Sequence, residues 1–353
     1  MNEIDRLLIK LVEQDKTPSV QYRIFDSETI LHNFQYGFAD IKNKVKADEN
    51  TAYNAFSVTK TFTALAVLQL AEQKTIDIKE PVKKHLPEFP YPPEITVKQL
   101  LAHAAGIPNP IPLSWIHLAE EHKTFDRDHF FHQIFSKNNK TISKPNEKYA
   151  YSNLGYVLLG QLIEKVSGSR YEDYIRENII EPLKLIPNEL DFTIDKISQH
   201  AKGYHKKYSI SNLFLGVLLD RSKFVDGTEG KWISFRENYV NGTAHGGLIG
   251  TSNTFARYLQ ELLKPNCSLI SDEFKKMLFT ENYTNNGKAT RMCLSWFKGE
   301  LIGTPYFTHA GGGGGFYCEL RIYPALGLGS LIMFNRTGMR DERFLDKTDV
   351  YFI

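Results

Sequence analysis

The chain has 353 residues, 42% hydrophobic and 24% charged, which is enough to bury one large core or two modest ones without covalent or metal staples. Its 43 basic and 41 acidic residues leave a formal net charge of +2, far from the balance of an electrostatic nucleic-acid or membrane binder. Cys267, Cys293 and Cys318 form no CxxC pair and no metal-ligand spacing, so they read as plain thiols.

In chain order, residues 1–19 alternate charge with apolar side chains, so that Ile4, Leu7, Leu8, Leu11 and Val12 share one face of an amphipathic helix. The segment lacks the apolar run and cleavage site of a signal peptide, and no later stretch reaches the about 18 apolar residues of a membrane span, so the sequence reads as cytoplasmic. Residues 19–26 and 30–38 read as a hairpin around Ser27 and Glu28. Helical patterns follow at 57–73, 96–104, 153–168 and 169–183. Segment 195–243 is polar, aromatic and irregular, and reads as a loop-rich insertion of the kind that shapes pockets. Short apolar runs at 291–297, 305–310, 315–324 and 327–334, punctuated by glycine and proline, read as an antiparallel meander.

This order of sheet, helices and sheet predicts an α+β fold in which both chain ends build one antiparallel sheet against a mostly helical lobe. The chain reads as one catalytic unit over 1–353, with an α/β part at 1–52 and 245–353 and a helical part at 53–244. Chemistry is expected in the seam between them.

The pattern Ser-x-x-Lys occurs twice, at Ser57 to Lys60 and at Ser295 to Lys298. The second copy lies in a predicted strand, where residues three apart point to opposite faces, and reads as coincidence. Ser57 opens a helix that is apolar almost all round, where residues three apart are neighbours. A buried Lys60 must have a lowered pKa or sit in a polar network, and either suits it to act on the serine hydroxyl. The alternative is a serine N-cap with a lysine snorkelling to solvent. Tyr151-Ser152-Asn153 opens another apolar helix. A phenol beside a lysine has its pKa drawn down from about 10, and the Asn153 amide can orient a substrate carbonyl and tie the lysine down. A helix cap beside a core tyrosine reads equally from these residues alone. His309-Ala310-Gly311 leads into four more glycines, which allow close approach of backbone N–H groups to a substrate, or simply form a flexible turn. The other histidines, His103 among them, read as surface or packing residues, with His245 in AHGGLIG placed near the site.

Taken together, the motifs resemble those of the serine β-lactamase and penicillin-binding-protein superfamily. The order Ser57-x-x-Lys60, Tyr151-x-Asn153, His309-x-Gly311 is similar to the branch of class C β-lactamases and related esterases and D-peptidases. Flanking blocks such as ITVKQLLAHAAGIPN and KYAYSNLGYVLLGQLIEKVSG resemble the family in order over most of residues 30–335. The resemblance implies a β-lactamase/transpeptidase-like fold and a serine hydrolase acting on a small ester, amide or peptide without a cofactor. It implies Ser57 as nucleophile, Lys60 as its proton partner, Tyr151 as base and later acid, and Asn153 as a substrate-orienting amide. An oxyanion hole is implied at the N–H groups of Ser57 and Gly312, in the strand that carries His309 and Gly311. His309 stands where β-lactamases have lysine, so the charge that meets a substrate carboxylate becomes conditional on pH, favouring an esterase or amide hydrolase over a β-lactamase or D-amino-acid peptidase. A non-catalytic binding or scaffolding descendant of the fold is the remaining reading.

Overall fold

Asn2 caps the first helix, α1 (Glu3–Glu13), by accepting the Asp5 amide at 2.8 Å, and the predicted face buries Ile4 and Leu8. The computed structural model describes residues 2–110, 114–185, 189–196, 199–209, 220–337 and 343–353. The hairpin follows as β1 (Ser19–Phe25) and β2 (Ile30–Asp40), then β3 (Val45–Lys46) and β4 (Thr51–Asn54).

The central helices are α2 (Thr59–Glu72), α3 (Val97–Leu101), α4 (Arg127–Lys137), α5 (Asn153–Ser167) and α6 (Tyr171–Ile175). Every residue of α2 from Thr59 to Ala71 is buried, as its all-round apolar sequence requires. Its Phe62 ring stacks on Tyr258 at 4.0 Å, in α7 (Ser252–Leu263). A capping box between Thr96 and Gln99 starts α3, and α5 runs from its Ser152 cap to Gly168, which ends it at φ 75°.

Toward the C-terminus come β5 (Ile249–Thr251), β6 (Phe297–Leu301), β7 (Thr304–Gly313), β8 (Phe316–Tyr323) and β9 (Leu328–Phe334). Among the described residues the largest sheet has seven strands in the order β6-β7-β8-β9-β1-β2-β3. Its two halves join where β1 pairs antiparallel with β9, Val20 opposite Phe334 and Phe25 opposite Gly329, so both chain ends build one sheet as expected. One hydrophobic core runs from Phe25 and the α2 side chains through to Met333.

Two expectations need correction. Residues 291–296 are not strand: Arg291 and Ser295 take positive φ values of 58° and 71°, and the strand begins only at Phe297. Cys293, Leu294 and Trp296 are buried in this turn, so their hydropathy imitates that of a strand. Nor is the described part of 195–243 mainly loop. Residues 204–206, 225–229 and 232–235 form a three-stranded sheet, and 238–240 pairs with 116–118. The three-residue strands among these, 204–206 and 238–240, fall below the window in which alternation can be read. Residues 197–198 and 210–219 of that segment lie outside the described residues.

Candidate active site

Ser57 sits in a single tight turn, Phe56–Val58, that feeds directly into α2. Phe56 holds φ at 46°, uncommon for a bulky residue, and this sharp reversal between β4 and α2 leaves Ser57 half-buried at the head of the helix. Lys60, one turn on, is completely buried. Its Nζ donates to Ser57 Oγ at 2.9 Å and to the main-chain carbonyl of His245 at 2.6 Å. It also lies 5.1 Å from the centre of the Tyr151 ring and 5.5 Å from that of Tyr156. Burial drives the Lys60 pKa well below its ordinary value, so the uncharged amine becomes accessible. In that form, the contact that donates to Ser57 Oγ can instead accept its proton.

Tyr151 immediately precedes Ser152, whose side chain caps α5 by accepting the Gly155 amide at 3.1 Å. The cap fixes the direction from which the chain approaches the helix, and the Tyr151 hydroxyl donates to Ser57 Oγ at 2.9 Å. Ser57 Oγ is therefore within hydrogen-bond distance of both groups that the sequence selected.

The third segment lies across the seam. The glycine run is strand through Gly313 and turns only at Gly314 and Gly315, with Gly311 opposite Cys318 and Gly312 opposite Tyr317. A side chain at Gly311 would begin 2.1 Å from the Ala55 carbonyl oxygen and 2.6 Å from the Ser57 nitrogen. Glycine is what lets this strand lie against the serine turn. Gly312, beside it, is exposed toward a cleft of ≈ 1180 Å³. Ser57, Tyr151 and His309 line that cleft together with Tyr149 and Phe297.

His309 differs from its expected role. It is completely buried, its Nδ1–H donates to the Ser295 carbonyl, and its Nε2 has no partner among the described residues. Burial, assisted by the charge of Lys60, pulls its pKa down to about 3. The imidazole is neutral at ordinary pH, so it supplies no pH-conditional cation for a substrate carboxylate.

Asn153 is also placed differently from one part of its expectation. Its main-chain and side-chain nitrogens both donate to Asn109 Oδ1, at 3.0 and 3.1 Å, while Lys60 is anchored by the His245 carbonyl instead. His245 thus belongs to the site through its backbone. Ser295 is not a second nucleophile: it is buried and holds His309, and Lys298 pairs with Glu281 at 3.2 Å.

Of the two readings of His103, surface or packing, the structure bears out packing: it is 2% exposed and its ring lies 4.3 Å from that of Tyr151, a place beside the site that the sequence did not mark. A histidine closing the apolar helix of LLAHAAGI was the available signal.

The family model described as Beta-lactamase matches residues 4–351. Protein flp of Staphylococcus aureus (strain N315) is 30% identical over 209 residues, 57% of this chain and 41% of that protein. The chain thus spans less than half the length of that relative. Among solved structures, a class C beta-lactamase superposes with a TM-score of 0.75 at 17% identity, covering 99% of this chain and 94% of that one. D-amino acid amidase from Ochrobactrum anthropi SV3, complexed with L-phenylalanine, superposes with a TM-score of 0.76 at 19% identity, covering 99% and 98%. Both share the fold, that of the β-lactamase/transpeptidase type, and both are named for hydrolytic enzymes. No helix among the described residues is long and apolar enough to cross a membrane.

Proposed function

This chain belongs to the Beta-lactamase family, and from that premise we propose that it is a serine hydrolase cleaving a small ester or amide through a Ser57 acyl-enzyme. The observation that carries the reading is the position of Ser57 Oγ, 2.9 Å from Lys60 Nζ and 2.9 Å from the Tyr151 hydroxyl, with the lysine pKa depressed by burial. Ser57 Oγ attacks the carbonyl carbon as its proton passes to Lys60, and Tyr151 relays a proton to the leaving group. The N–H groups of Ser57 and Gly312 receive the oxyanion, and Asn153, the first residue of α5, orients the substrate. Tyr151 then takes a proton from water as the acyl group is released.

The substrate reading follows from His309. A neutral imidazole in this strand supports an ester or amide without an obligatory carboxylate over a β-lactam or a carboxylate-ended peptide. The aromatic residues Tyr149 and Phe297 in the cleft lining support an apolar or aryl group in the substrate.

Intact mass after exposure to a fluorophosphonate and to a penicillin tests the proposal, comparing the parent with Ser57→Ala. One fluorophosphonate adduct that disappears in Ser57→Ala, with turnover of a short-chain nitrophenyl ester but not of a chromogenic cephalosporin, is the expected result. Labelling that persists in Ser57→Ala removes the nucleophile. A parent that neither labels nor turns over either substrate supports a binding role for the fold.

A further inference from the structure

We propose that His103, as a neutral imidazole, is the positioning residue that holds Tyr151 on Ser57; this rests on the role given to Tyr151 above. The main-chain N–H groups of the two residues that flank Tyr151 both donate to this one residue. The Ala150 N–H donates to the His103 carbonyl at 2.7 Å, and the Ser152 N–H donates to His103 Nδ1 at 3.1 Å. Between these two anchors the imidazole lies against the Tyr151 ring, centroids 4.3 Å apart and planes tilted by 36°. The segment leading to Tyr151 is tied to the same stretch further back, where Asn146 N donates to the Ala104 carbonyl at 2.7 Å and Ile142 N to that of Gly106 at 2.8 Å. Main chain and ring thus leave the phenol little freedom.

His103 itself is held in an unusual conformation. It follows the end of α3 with φ at 51°, a region that costs a bulky residue about 1–3 kcal/mol. Asparagine or glycine would fit that backbone at lower cost, but glycine offers no acceptor to Ser152 and asparagine no ring to Tyr151. The strained histidine does both, and of the two it is the acceptor to Ser152 that holds the bracket.

The hydrogen bond from Ser152 also fixes the protonation state. Nδ1 accepts, so the proton of the neutral ring is on Nε2, which is buried without a partner among the described residues. A second proton would set an N–H against the Ser152 N–H and open the bracket. The groups facing the ring oppose that charge. Lys60 comes from α2, Tyr151 and Tyr156 from α5 and the residue before its cap, Tyr149 from the segment ahead, and His309 from β7. No carboxylate is among them, and burial, with a smaller contribution from repulsion by Lys60, depresses the His103 pKa well below the ordinary histidine value.

Three variants separate positioning from mere structure. His103→Phe keeps a ring against Tyr151 and removes the acceptor, His103→Asn keeps an acceptor near Nδ1 and suits the positive φ, and Tyr151→Phe removes the hydroxyl being positioned. On a nitrophenyl ester, His103→Phe should lower kcat by about a hundredfold with KM within about twofold, as a misplaced catalytic group does. His103→Asn should restore kcat to within about fivefold of the parent. In the Tyr151→Phe background the Phe substitution should cost less than about threefold, because nothing remains to position. Nitrogen-15 NMR of the parent should show His103 as the Nε2–H tautomer from pH 5 to 8. An Nδ1–H tautomer overturns the proposal, as does an undiminished His103→Phe loss in the Tyr151→Phe background or equal loss in the Phe and Asn variants. A parent that does not label at Ser57 defeats the hydrolase reading first, whereas a labelled parent with any of those outcomes defeats His103 alone.

Discussion

Gly311 packs so closely on Ser57 that a Cβ on the glycine would lie 2.6 Å from the serine nitrogen. The neighbouring Ala55 carbonyl would be closer still, at 2.1 Å, and both obstacles are backbone atoms that cannot rotate away. Gly311→Ala should therefore part β7 from the serine turn, costing about 1–3 kcal/mol of stability and at least about a hundredfold in fluorophosphonate labelling rate. At Gly312 an added Cβ meets nothing nearer than 3.7 Å, and Gly312→Ala should stay within about 0.5 kcal/mol of the parent. Thermal unfolding and labelling kinetics on both variants check this; a Gly311→Ala protein that folds and labels like the parent would refute it.

Lys60 is a completely buried amine whose hydrogen bonds go to a hydroxyl and a carbonyl, with no carboxylate in either contact. Such a group is kept at a cost to folding, since burial opposes its charged form. Replacing it with a chain of similar length and no charge, Lys60→Met, should leave the melting temperature unchanged or raise it. The same variant should lose about a thousandfold or more in acylation rate. A clear drop in melting temperature would show that the lysine stabilises the fold, contrary to this account.

The His309 pKa is about 3 in the folded protein, against about 6.5 in an unfolded chain. Between these values the unfolded chain binds a proton that the folded one refuses. The stabilising contribution of this neutral side chain is complete above about pH 6.5 and is lost as pH falls toward 3. His309→Gln should flatten the pH dependence of unfolding free energy between pH 4 and 6 by about 1.4 kcal/mol per pH unit. Denaturant titrations over that interval measure it, and equal slopes in the two proteins would contradict the depressed pKa. The same depression predicts that kcat/KM of the parent shows no limb from His309 between pH 5 and 8.

If the neutral imidazole is what disfavours carboxylate-bearing substrates, a cation at the same position should favour them. His309→Lys should raise penicillin acylation of Ser57 by about tenfold relative to the parent while leaving ester turnover equal or lower. Intact-mass time courses read both rates. Unchanged penicillin reactivity in a folded His309→Lys protein would mean that this position does not select the substrate.

Much of the site was legible because its residues are local to helix starts. Ser57 and Lys60 are one turn apart at the head of a helix whose apolar sequence announces burial, and Tyr151 stands beside the Ser152 cap of α5. The hairpin at one end and the meander at the other were legible as short apolar runs punctuated by turn residues, and their union in one sheet followed from the like character of the two chain ends. Strands too short to alternate, such as 204–206 and 238–240, left no such trace. The buried turn at 291–296 imitated a strand because hydropathy registers burial and not φ.

The sequence by itself determined the family fold, the Ser57 and Lys60 pair, the tyrosine at the start of α5 and the glycine strand, since each is a pattern of neighbours along the chain. Only the tertiary structure decided what surrounds them. It sets the His245 carbonyl on Lys60, Ser295 under His309, Asn109 on Asn153, and His103 around Tyr151. These contacts join residues from 14 to 185 positions apart. Several are made by carbonyl and amide groups that every residue carries, so no residue type marks them. The charge of His309 belongs to the same class: the sequence supplies an imidazole, and the depth at which the fold buries it makes that imidazole neutral.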